Sequence, residues 1–192
     1  MTKKKTKKKP TRILIQDKRV AIAKDALLQL KAGIYDPKFG NGYVPTLDDV
    51  DFEGIANGCE ILVGESAEKV ELKSYLDKLV NKKKPCEVCA KGALFLSSVR
   101  KFNNFSIQDA ADHNGDISYW ASNIAEDIFG VNNAKLIEAY FEGASSYLPV
   151  WLEQEMVKID KFGAKYPNSV ERLEVILKNI IKNKGTFKPE VL

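Results

Sequence analysis

Two cysteines three residues apart, Cys86 and Cys89, are the sharpest chemical feature of this chain. Pro85 suits the first position of a helix, so the pair is expected in a first turn, near unpaired N–H groups that lower a thiol's pKa. That arrangement suits redox chemistry or a metal. Thioredoxin-like use would need a strand before the helix, whereas the pattern here places a helix before it. A zinc site could draw on Cys59 and His113 as further ligands, but no second Cys-x-x-Cys or His-x-His supports one. The reading favoured for Cys86 and Cys89 is that of small buried apolar side chains.

A second group, Asp109, Asp112, His113, Asn114 and Asp116, suggests a cation loop and fails its pattern. With Asp112, Asn114 and Asp116 at positions one, three and five, Ile117 stands where glycine is needed and Asn123 where glutamate closes the loop. It reads as a polar turn capping the next helix. His113 as a general base would need a partner that the sequence does not place.

The third group carries the functional expectation. Ser97, Ser98, Arg100, Lys101, Asn103 and Asn104 offer hydroxyl, cationic and amide donors suited to a phosphate or carboxylate, with Phe102 and Phe105 placed to stack on a ring. The competing reading has Arg100 and Lys101 complementing a helix C-terminus while the asparagines turn the chain and the phenylalanines pack. An ordered, aromatic loop over residues 34–45 supplies Tyr35, Phe39 and Tyr43 as further ligand-facing candidates. Its Gly40 and Gly42 make no phosphate-binding fingerprint.

These groups must be held by helices. Val88, Cys89, Gly92, Ala93, Leu96 and Val99 recur at helical spacing, and Gly92 and Ala93 let a neighbour approach closely, so this segment is expected to be the central helix. Other helices are predicted from Asp17 as cap to about Ala32, from Ser66 to about Lys82, over Ser118–Phe129, from an Asn cap over Asn133–Glu142, over Val150–Phe162, and from Asn168 or Ser169 to about Asn183. Residues 46–65 are read as irregular. Seven helices without a convincing period-two segment predict an all-α or nearly all-α fold. One domain over residues 12–192 is expected, behind a disordered Lys-rich arm at 1–11.

The net charge of +4 belongs to that arm. Residues 1–12 carry seven cations and no acid; without them, 23 basic groups face 26 acidic ones. A slightly acidic body argues against nucleic-acid binding except through the arm. No apolar run is long enough to span a bilayer and no signal-peptide core follows the basic run, so a soluble, cytoplasmic protein with no membrane partner is expected. Three cysteines make no disulfide framework, which fits a reducing compartment.

Two segments, CEVCAKGALFLSSVRKFN (residues 86–103) and RLEVILKNIIKNKGTFKP (residues 172–189), resemble recurring stretches of small uncharacterised proteins of tailed phages and bacteria. The resemblance implies a compact accessory protein acting in a bacterial host cell on metabolism or defence, and it carries over no functional residue.

Together these readings predict a monomeric or self-associating helical domain that binds rather than catalyses and needs no cofactor. Its expected ligand is small and anionic or nucleotide-like, held by Ser97, Arg100, Lys101, Asn103, Asn104, Phe105 and Tyr43. The alternatives are an interaction module docking on a host enzyme, and a thiol- or metal-dependent enzyme resting on Cys86, Cys89, Cys59 and His113.

Overall fold

Ten consecutive residues, Ala90 to Val99, are buried without a break. A helix with no solvent face must be enclosed by others, and this one is. A computed structural model describes residues 14–40, 85–102, 117–143 and 154–191. Along them run α1 (Ile15–Lys31), β1 (Tyr35–Pro37), β2 (Cys86–Val88), α2 (Ala90–Phe102), α3 (Ile117–Phe129), α4 (Val131–Glu142), α5 (Met156–Lys165) and α6 (Ser169–Lys182), followed by a short 3-10 turn at Pro189–Val191. The chain is nearly all-α. Helix α2 is the central one, packed against α1, α3, α4 and β2, while α6 closes over α1 and α4. The predicted helix over 66–82, the irregular stretch 46–65 and the Lys-rich arm lie outside the described residues.

The strand pair corrects the expectation that nothing here has period two. Tyr35, Asp36 and Pro37 run parallel to Cys86, Glu87 and Val88 in that register. Each strand alternates buried, half-buried, buried. Three residues are too few for alternation to stand out from turn chemistry, which is why 34–45 reads as loop. Flanking bonds from Cys86 N to the Ile34 carbonyl (2.7 Å) and from Lys38 N to the Val88 carbonyl (3.0 Å) complete the pairing. The central helix therefore starts at Ala90, not Pro85.

Helix ends differ from expectation in three further places. Asp17 lies in the first turn of α1, where its charge suits the helix dipole, while the capping position is Leu14. Asn133 does not cap α4, which begins at Val131 after Gly130; its side-chain oxygen instead accepts from Phe187 N at 3.2 Å. Helix α5 runs on to Lys165, past the predicted end at Phe162, while the expected start near Val150 lies outside the described residues. Of the two predicted starts of α6, Ser169 is its first residue and Asn168 its cap, whose Oδ1 accepts from Val170 N and Glu171 N.

Arginines cap the C-terminal ends of three helices. Arg172 of α6 donates from Nη1 to the Phe141 carbonyl at the end of α4 (2.8 Å), from Nη2 to Gly163 (2.8 Å) and from Nε to Tyr166 (2.6 Å) at the end of α5. Its guanidinium also lies over the Phe39 ring, 4.2 Å from the centroid. Gly143, at φ +67°, is required beside it: a Cβ there would stand 2.7 Å from Arg172 Nη1. Arg19 caps α3 in the same way, through the Ile128 carbonyl. Beyond α6 the chain is held by Asn179, whose amide donates to the Lys188 carbonyl and accepts from Lys188 N, both at 2.8 Å. That bonding seats Phe187 edge-on against Tyr140 in the core.

Candidate functional site

Ser97 and Arg100 lie one helical turn apart on α2, and so share a face. That face meets α1 and β1. Tyr35 hydroxyl and Ser97 Oγ are hydrogen-bonded at 3.1 Å, both residues buried. Burial pushes the Tyr35 phenol far above its ordinary pKa against the opposing bond to Ser97, so it acts as a neutral hydrogen-bonding group. Arg100 Nε donates to Asp25 Oδ2 of α1 at 3.1 Å. Its Nη1 is buried and finds no hydrogen-bond partner among the described residues. The two side chains keep 14% and 9% exposure, which puts the ion pair at the margin of the core rather than at its centre.

Of the other predicted ligand residues, Lys101 is exposed in the last turn of α2. Phe102 packs against the core with Lys18 Nζ 5.0 Å above its ring. Phe39 is taken up by Arg172 and by Phe141, its ring centroid 5.2 Å from the latter's. Tyr43, Asn103, Asn104 and Phe105 lie outside the described residues.

The cysteines part company at the strand–helix junction. Cys86 belongs to β2, and Cys89 occupies the N-cap position of α2, where its Sγ accepts from Gly92 N at 3.3 Å. That is the bond a serine or aspartate cap would make, here taken by sulfur. A strand does precede this helix, against expectation. Burial, reinforced by the nearby charge of Glu138, nevertheless pushes the Cys89 thiol up to about 12, so it holds its proton at neutral pH. Both cysteines are buried and neither is in a disulfide. Among the described residues no three His, Cys, Asp or Glu side chains gather to hold a metal; Cys59 and His113 lie outside them.

Two features went unnoticed in the sequence. The first is Lys91, only 3% exposed, whose Nζ reaches Glu138 Oε2 of α4 at 3.3 Å, Glu126 Oε1 of α3 at 3.4 Å and Ser122 Oγ at 3.4 Å. Burial pushes the Glu138 carboxyl up from its ordinary 4.5 to about 7, against the pull of Lys91. The available signal was a lysine inside an otherwise apolar helix. The second is a cavity of about 210 Å³ lined by Tyr140, Lys158, Lys161, Phe162, Lys165 and Pro189. It is smaller than the ~300 Å³ at which small-molecule pockets usually begin. Lys158 is also bound to Glu155 at 2.7 Å.

No protein-family model, curated protein or solved structure matches this chain. Its chemistry is read from its own residues.

Proposed function

We propose that the protein binds a small anionic, nucleotide-like ligand at the corner formed by α1, β1 and the end of α2. Arg100 carries this reading. Its Nε is committed to Asp25, while Nη1 is withdrawn from water without a partner, a state that costs about 1–3 kcal/mol and that an oxyanion would relieve. Lys101, exposed in the same turn, adds a second cation. Asp25 opposes the ligand's charge, so affinity is set by the balance between that carboxylate and the free edge of the guanidinium. In its most concrete form, taken from the resemblance to phage accessory proteins, the protein sequesters a host nucleotide signal in the cytoplasm.

Titration calorimetry with pyrophosphate and with a nucleoside diphosphate tests the reading. The wild type should bind at millimolar Kd or tighter, at least about −4 kcal/mol. Arg100→Lys keeps the charge but loses the fork, and should weaken binding at least about tenfold. Asp25→Asn removes the competing carboxylate and should tighten binding even though it loosens the fold. A purely structural pair predicts no probe binding, or binding untouched by either change. Lys161→Gln serves as control; if it alone abolishes binding, the anion sits in the α5 cavity and the Arg100 reading fails.

A further inference from the structure

One ammonium and two carboxylates from three different helices meet inside the core. Lys91 comes from α2, Glu126 from α3 and Glu138 from α4, with Ser122 Oγ donating to Glu126 Oε1 at 3.3 Å. Lys91 and Glu138 are almost wholly enclosed, with side-chain exposures of 3% and 4%, whereas Glu126 keeps 20%. Although Glu138 Oε2 lies 3.3 Å from Lys91 Nζ, it makes no well-directed hydrogen bond among the described residues. Two ionised carboxylates around one ammonium leave excess negative charge where little water can screen it. With Glu138 protonated, Lys91 and Glu126 balance one to one.

We propose that Lys91, Glu126 and Glu138 form a proton-operated clasp that holds α3 against α2 and α4 and releases it when Glu138 ionises. Helix α3 is the element that yields because Glu126, the most exposed of the three, can reach water without dragging a buried chain with it. The groups packed around Glu138 do not offset this excess. Glu142, one turn further along α4, adds negative charge; Cys89 of α2 stays neutral; and Arg172 of α6 directs its field to Glu142, whose other partner is Gly40 N at 2.8 Å. The folded protein binds the Glu138 proton up to about pH 7, whereas the opened chain releases it near 4.5. Opening is therefore resisted below that window, grows easier as pH rises through it, and stops changing above about pH 7.

Amide hydrogen exchange on the full chain between pH 5 and 8.5, corrected for intrinsic rates, tests the clasp. The opening constant for amides of α3 should rise by up to about tenfold per pH unit below pH 7 and then level off, while amides of α6 stay protected. Glu138→Gln, of the same shape without the proton, should give a flat profile. The same rise in Glu138→Gln, an equal rise in every helix, or no rise at all overturns the proposal. Should the variant fail to fold, carboxyl 13C titration of the wild type decides: a Glu138 midpoint near 7 supports the clasp, and one below 5 overturns it.

Discussion

Arg172 is the single side chain that ties most of the fold together, because its fork satisfies carbonyls at the ends of two helices while its face covers Phe39. Hydrogen bonds to a charged group contribute about 1.5–3 kcal/mol each and overlap when they share one donor group. Arg172→Met should therefore cost about 3 kcal/mol, a fall in Tm of about 6–12 °C by calorimetry. Arg172→Lys should recover less than half, since one ammonium cannot span all three carbonyls. A loss below about 1 kcal/mol would show the ends to be sealed by other means. Nothing in the sequence marked this arginine: a cation in a helix interior reads as surface, and its partners are backbone carbonyls that carry no residue signature. Lys91 and Glu138 escaped for a related reason. Burial of a charged residue depends on which helices meet, and periodicity along one helix does not say that. Ser97 and Arg100 were legible as polar residues near the end of α2, but Asp25, which takes the Arg100 Nε bond, is distant in sequence.

At the level of elements, the helices were legible from their periodic patterns, the enclosed α2 among them, while the three-residue strands were not. The α6 boundaries were predicted almost to the residue, because Asn168 caps it and Gly185 follows it. The start of α2 was misplaced by the proline rule: Pro85 precedes a strand whose three residues pair with a partner far back in the chain. Its enclosure on all sides also exceeds the stripe that the spacing implied. Helix α6 and the segment after it form a unit through Asn179, whose amide pairs with both backbone groups of Lys188 as a neighbouring strand would. Asn179→Ala should free that segment at a cost of about 1–3 kcal/mol. Limited trypsin digestion should then cut after Lys184 well before the other sites among the described residues. Unchanged cleavage there would mean that Phe187 alone holds the segment.

For the molecule as a whole, one buried apolar cluster takes residues from each of the described α-helices and both described strands. Cys89 sits inside it, and its thiol is pushed up to about 12, so native protein should resist iodoacetamide at pH 8 at this residue. Site-resolved mass spectrometry should show Cys89 alkylated only at the rate of global opening, in step with exchange of the most protected α2 amides. Modification much faster than that exchange would reveal a local path to the sulfur. The all-α class was legible because periodicity and caps are local, while the burial of charge and the strand pairing rest on contacts between distant segments.

The two-strand ladder has one more consequence, for how the chain can vary. Lys38 and Cys86 are fixed to neighbouring positions by bonds to Val88 and Ile34, and these are backbone groups that no substitution short of proline removes. Side chains along the ladder can therefore change while the pairing that ties residues 34–38 to the start of α2 is kept.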